Sequence, residues 1–289
     1  MNYSDQFRVR PGAQVKLAAF DPAFKDRHQT REDAAQEIEH YRDRLSALQE
    51  LLYVERRRSL LICLQGLDTA GKDGTIKHFL GAMNPQGCTV TQFREPSPQE
   101  AAHDFLWRVH RATPARGEVA IFNRSHYEDV LVVRVHDLVP KSVWSLRYER
   151  INAFEQELLD HDTQILKFFL HISSEEQLSR FKARLDDPTK QWKISEADYA
   201  ERKFWNDYVK AYEDMLSRCS TEHAPWFVIP ANHKWFRNLA VARIVVECLE
   251  QLNMRYPQPR VDLEHIRREY HEAKRPPGGS PAAPDAKPE

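Results

Sequence analysis

Residues 59–74 read SLLICLQGLDTAGKDG. Ser59 to Gln65 is a short, almost continuous apolar run, the pattern of a strand covered on both faces inside a parallel sheet. It runs straight into a turn holding Gly66, Gly71 and Gly74, three of the nine glycines in the chain, and the turn opens a helix. That order has a physical use. Glycine lets backbone N–H groups turn inward around phosphate oxygens, the following helix presents its positive end, and Lys72 neutralises charge. Gly66, Ala70, Gly71, Lys72, Asp73 and Gly74 are therefore the expected phosphate cradle, and Lys77 lies further along the same helix. Two carboxylates stand within the turn. Asp73 occupies the position where a hydroxyl side chain ordinarily holds magnesium. Asp68 sits where a carboxylate beside phosphate is repelled unless a cation lies between, so it is the candidate Mg2+ ligand. Asp73 reads equally well as a helix N-terminal charge favoured by the dipole.

Outward from this stretch, further apolar runs at 88–93, 119–122, 165–172 and 226–229 alternate with helical stretches. Such alternation predicts a doubly wound α/β sheet. Upstream, Ile38, Tyr41, Leu45, Leu48 and Leu52 recur at three- and four-residue steps and predict a helix over 31–58, its stripe packed on its own domain or on another subunit. Residues 1–30, with Pro11, Gly12 and Pro22, read as an arm laid over the surface. Ser173 with Glu176 and Ser195 with Asp198 have capping-box spacing and mark helix starts. Between them and the last strand, Phe204, Trp205, Tyr208, Val209, Tyr212, Met215 and Leu216 form an aromatic stripe, read as core packing rather than base stacking. The tail from Glu272, EAKRPPGGSPAAPDAKPE, has almost nothing to bury and is expected to be disordered. The expected organisation is an arm and helix at 1–58, a P-loop domain at 59–255 with a lid near 180–195, and a C-terminal segment at 256–289.

Two further stretches carry chemistry. Residues 119–129 read VAIFNRSHYED, an apolar strand delivering polar residues at its C-terminal edge, where open α/β sheets bind ligands. Asn123 takes the place of the usual Walker-B aspartate, and Arg124 projects into the same crevice. His126 reads as a hydrogen-bonded structural residue rather than a phosphohistidine. Residues 180–195 read RFKARLDDPTKQWKIS. Arg180 and Arg184 share a helix face, Pro188 ends the helix, and Lys190 and Lys193 follow. This is the pattern of a lid closing arginines over a transferring phosphoryl group; the plainer alternative is a solvated basic helix end. Arg56, Arg57 and Arg58 are cations at a helix C-terminus, favourable there without any ligand.

The 289 residues, 41% hydrophobic, suffice for one good core, and the formal net charge of −1 gives no global bias toward nucleic acid or membrane. A polyanion site must then be a local basic groove. Cys63, Cys88, Cys219 and Cys248 show neither CxxC nor a histidine at ligand spacing, which predicts reduced core thiols. Neither a signal-like leader nor a run approaching about 18 apolar residues is present. A cytoplasmic protein with no membrane and no nucleic-acid partner is expected.

Together, GLDTAGKDG, FNRSHYEDVLVVRVH, RFKARLDDPTKQWKIS and PANHKWFRN resemble the polyphosphate kinase 2 family, in particular its class III members, over about residues 30–255. The resemblance implies a three-layer α/β/α P-loop kinase fold with a central parallel sheet, similar to thymidylate kinase, and a helical lid. It also implies Mg2+, inorganic polyphosphate as donor, and AMP and ADP as acceptors giving ADP and ATP reversibly, with guanine nucleotides as further acceptors. A homo-oligomer, dimer or tetramer, is implied as well. By position it assigns Asp68 to the metal, Lys72 and Arg124 to the phosphate chain and Arg184 to the transfer. Asn123, Glu128, Arg134, Arg180, Arg184, Lys190 and Lys193 fall on the nucleotide side. Asn123 and Glu128 stand where many members have Asp and Asn, a departure that matches the class III-like subgroup. The rival readings are an ATP-dependent nucleotide kinase of the thymidylate-kinase type, which usually keeps Lys-Ser or Lys-Thr in its loop, and an idle binder, which has no need of Asp68 together with a lid.

Overall fold

A computed structural model describes residues 2–274, with Ala197 by its backbone alone. The apolar runs form five strands: β1 (Ser59–Gln65), β2 (Cys88–Gln92), β3 (Val119–Asn123), β4 (Thr163–His171) and β5 (Trp226–Pro230). All pair in parallel in the order β2-β3-β1-β4-β5. The longer helices are α1 (Ala35–Glu55), α2 (Lys72–Leu80), α3 (Lys141–Asp160), α4 (Ser174–Leu185), α5 (Glu196–Arg202), α6 (Trp205–Cys219), α7 (Lys234–Gln251) and α8 (Leu263–Ala273).

Every residue of β1 is buried, and its alternation splits the core. Leu60, Ile62 and Leu64 pack with Leu45, Leu48 and Leu52 of α1, Ile76 and Phe79 of α2, and Leu239 and Ile244 of α7. Leu61 and Cys63 face the other way, toward Phe122, Ile165 and Phe154 of α3. Helices therefore cover both faces of the sheet, the three-layer α/β/α arrangement. The α1 stripe packs on its own domain, with Ile38 and Tyr41 partly buried against the same core. Ser173 and Ser195 cap α4 and α5 as their spacing predicts.

The N-terminal arm departs from expectation. Tyr3 is fully buried, its ring 5.7 Å from Phe236, and Val9 N–H donates to Trp226 O at 2.8 Å beside β5. Phe7, Val9, Val15 and Leu17 are buried too, so the arm covers the outer edge of β5 instead of lying on the surface. Residues up to Arg255 make one compact unit, with no division at residue 58. A second unit starts at Tyr256 and contains α8. Asp262 caps this helix, and Leu263, Ile266 and Tyr270 are exposed along it. Glu272 and Ala273 finish α8 rather than begin a disordered tail; the rest of that expectation, 275–289, lies outside the described residues. No helix among the described residues is long and apolar enough to cross a membrane.

His126 is 1% exposed. Its Nε2 lies 3.2 Å from Glu155 Oε1, which accepts from Tyr127 OH at 2.7 Å, while the fully buried Lys167 donates to Glu155 Oε2 at 2.5 Å. This is a buried hydrogen-bonded network that engages His126 through Nε2, while its buried Nδ1 finds no partner among the described residues, so His126 has a structural role and no access to phosphate. Histidine burial sets a pH dependence. His78 on α2 is pulled from 6.5 to about 4 by burial, then by Arg42 and Arg237. Between those values the unfolded chain binds a proton that the folded chain refuses, so this stability is full above 6.5 and is lost as pH falls. His78→Gln should shrink the loss in unfolding free energy between pH 7 and pH 5 by about 1–2 kcal/mol, allowing for partial exposure. Asp129, pushed up to about 6 by burial against Arg147 and Arg108, acts in the opposite sense. The comparison of denaturant midpoints is therefore between variant and wild type, and an identical pH slope in both refutes the assignment.

Candidate active site

The loop after β1 tucks against β4: a Cβ on Gly66 would stand 2.8 Å from Leu170 O. It ends at Gly71, which caps α2 at φ 104°. Lys72 curls back, its Nζ donating to Gly66 O at 2.6 Å. Burial, then Arg124, pulls this lysine below the usual range, against Asp68, Glu128 and Asp73. The end of β3 sits level with the loop, Asn123 in register with Leu64. Asn123 Nδ2 donates to Asp73 Oδ1 at 2.8 Å. An aspartate there would oppose two carboxylates at that distance, so the amide turns a repulsion into a bond. Arg124 adopts φ 58°. Its Nη2 donates to Asp68 Oδ1 at 3.1 Å, and its Nη1 lies 3.8 Å from Glu128 Oε2. Burial lowers the Arg124 pKa, but Glu128 and Asp68 outweigh it and hold the group firmly cationic. Burial raises the Glu128 carboxyl in spite of Arg124 and Lys72.

Two cavities meet at this point. The first, 370 Å³, is lined by eight lysines and arginines against the carboxylates of Asp68, Asp73 and Asp198. The second, 210 Å³, is lined by Glu128, Gln177, Glu201, Arg202, Trp205, Tyr208 and Tyr212, among others. Asp68, Arg124 and Asp198 line both. The first suits an extended polyanion, and the second suits a ring that stacks and a hydroxylated sugar that hydrogen-bonds.

Of the residues expected from sequence, Asp68, Gly71, Lys72, Asp73, Gly74, Asn123, Arg124, Arg180, Arg184, Lys190 and Lys193 line the first cavity, and Gly66 and Glu128 the second. Ala70 is a buried member of the loop, and Lys77, exposed on α2, lines neither cavity. Arg134 is not in the crevice: its Nη1 donates to Asp214 Oδ2 at 2.6 Å and its guanidinium stacks 4.8 Å over Trp144. Arg180 reaches the crevice but is not a lid cation. It donates to Glu176 Oε1 (2.6 Å), Thr69 O (2.7 Å), Ala70 O (3.2 Å), Ala231 O (2.5 Å) and Asn232 O (2.9 Å). That spends every N–H of the guanidinium, so Arg180 ties the phosphate loop to the loop after β5. Arg184, one turn on, makes a single side-chain hydrogen bond among the described residues, from Nη1 to Lys193 O at 3.3 Å. Lys190 pairs with Asp187 and Lys193 stacks on the exposed Trp192, so the lid tip is bonded mainly within itself.

Sequence reasoning missed Lys234 and Arg237, both lining the first cavity from the start of α7. Their signal was a basic pair at three-residue spacing directly after a strand end. It also missed the second use of the aromatic stripe. Met215 and Leu216 are core residues, as expected, but Trp205, Tyr208 and Tyr212 line the second cavity.

Comparison with known proteins agrees with this geometry. The family model "Polyphosphate kinase 2" matches residues 28–257. The chain is 49% identical to the AMP/ADP-polyphosphate phosphotransferase of Meiothermus ruber over 90% of its own length and 98% of the relative's. It is 44% identical to the ADP-polyphosphate phosphotransferase of Rhodopseudomonas palustris, covering 88% and 92%. The crystal structure of polyphosphate kinase 2 from Arthrobacter aurescens superposes with a TM-score of 0.91 at 40% identity, over 94% of this chain and 97% of that one. A phosphate loop, a lid and a cationic crevice in one unit, together with these matches along nearly the whole chain, place it plainly: the chain belongs to the polyphosphate kinase 2 family.

Proposed function

We infer that this chain transfers the terminal phosphoryl group of inorganic polyphosphate to AMP and ADP, reversibly, giving ADP and ATP, as a class III-like member of its family. The observation that carries the reading is the joining of an eight-cation crevice to an aromatic cavity across Asp68 and Arg124. The polyphosphate chain occupies the first, and Arg184, Lys190 and Lys193 belong to its track; the nucleotide occupies the second. The attacking group is a nucleotide phosphate oxygen that is already anionic, so the protein aligns and neutralises and needs no general base. Lys72 leaves its own loop carbonyl for a phosphate oxygen, Arg124 spans donor and acceptor, and Arg184 closes from the lid.

Among the described residues no group of three or more His, Cys, Asp or Glu is placed to hold a metal unaided. That fits magnesium, which takes one or two carboxylates and completes its shell with phosphate and water. Asp68, about a third exposed on its side chain at the shared border, would hold it with Asp73 nearby. Bound there, the ion would neutralise charge on the phosphoryl oxygens.

The test is product formation from AMP, ADP and guanine nucleotides in turn, with long-chain polyphosphate and Mg2+ and no other donor. ADP and ATP are both expected from AMP. Glu128 lines the second cavity against Arg124, so the Asn123→Asp, Glu128→Asn double variant should change the AMP-to-ADP preference. No ADP from AMP in wild type would sink the reading. The light-scattering mass of the same preparation reads the remaining part of the proposal, a homo-oligomer, which a monomer mass would refute.

A further inference from the structure

The back of the phosphate loop holds a cation in an unfavourable place. Arg237 is 2% exposed and presses against the start of α2: a Cβ on Gly71 would stand 1.8 Å from its Nη1, and a Cβ on Gly74 3.0 Å from its Nη2. Gly74 lies inside a helix, where no turn calls for glycine; the guanidinium accounts for it. The partners of Arg237 are neutral. Nη1 donates to Ala70 O at 3.2 Å, and Nε and Nη2 donate to Asn238 Oδ1 at 3.1 and 2.8 Å. Among the described residues no carboxylate lies within ion-pairing distance of it, whereas Arg180 shares the Ala70 carbonyl. Burial, then Arg180, pulls the group down to about 9. The dipole of α2 adds to this, since a helix N-terminus repels positive charge. The same side chain lines the cationic crevice.

We propose that Arg237 is a positioning residue whose buried charge is uncompensated in the free protein and is neutralised by the bound polyanion, so that polyphosphate binding and fold stability are coupled through it. This rests on the polyphosphate reading above. Holding the Ala70 carbonyl back keeps the neighbouring amides turned toward the crevice, and a buried charge without a counter-ion opposes folding until an anion arrives.

The experiment is thermal melting of the full chain with and without long-chain polyphosphate, for wild type, Arg237→Met and Arg237→Lys. Without polyanion, the near-isosteric methionine variant should melt at or above wild type. Polyphosphate should raise the wild-type melting temperature by roughly 4–8 °C and that of the methionine variant by less than about half as much. The lysine variant, which keeps the charge but not the fork, should recover most of that shift. The apparent KM for polyphosphate should rise about tenfold in the methionine variant with kcat changed much less, as for lost ground-state binding. A methionine variant that fails to fold, melts below wild type without polyanion, or shows the full polyphosphate shift overturns the proposal. A wild-type melting temperature unmoved by polyphosphate overturns the polyphosphate reading itself, so the two failures are distinguishable.

Discussion

Arg124→Ala should lower kcat by about 10³-fold or more, the scale of losing an arginine that acts on a transferring phosphoryl group. Among the described residues it is the only cation that lines both cavities, and Asp68 and Glu128 aim it from either side. Its side chain is 39% exposed, so the variant should fold. Arg124→Lys should recover little, because a point charge cannot bridge two phosphates as a planar fork does. Arg57→Ala, on the exposed end of the α1 basic run, should leave the rate unchanged. Steady-state kinetics with polyphosphate and ADP decides the matter: an Arg124→Ala rate within tenfold of wild type would remove this residue from the transfer.

Asp68→Asn keeps the size of the side chain and an oxygen that still accepts from Arg124, yet loses the charge. If Asp68 holds magnesium against the phosphates, the variant should lose about 10²-fold or more in kcat/KM, in keeping with several kcal/mol of charge stabilisation from a bound metal. It should also need more Mg2+ for half-maximal rate. A Mg2+ titration of both proteins reads the two effects separately, and wild-type values in the variant would disprove the metal assignment.

The runs of β1, β3, β4 and β5 were legible because buried parallel strands are short apolar runs, a signal held within seven or so residues, whereas β2, CTVTQ at the sheet edge, is largely exposed. The phosphate loop was legible for a similar reason: glycine placement and one lysine are dictated by backbone geometry around phosphate. Arg180 and Arg184 were not distinguishable. They lie four residues apart on one helix face and read alike, yet one spends every donor on Glu176 and the carbonyls of residues 69, 70, 231 and 232, and the other is left nearly unbound at the lid. Arg134 failed in the same way, because Asp214, its partner, lies eighty residues away in the chain.

The sequence by itself determined the strands, the capped helix starts, the phosphate loop and the family, since periodicity, turn chemistry and motif order are local properties. Only the tertiary structure decided that the arm is core, that the aromatic stripe faces a cavity as well as the interior, and that Arg237 stands behind the loop. A guanidinium's role depends on which donors are already spent and which charges surround it, and those partners come from segments that only folding brings together.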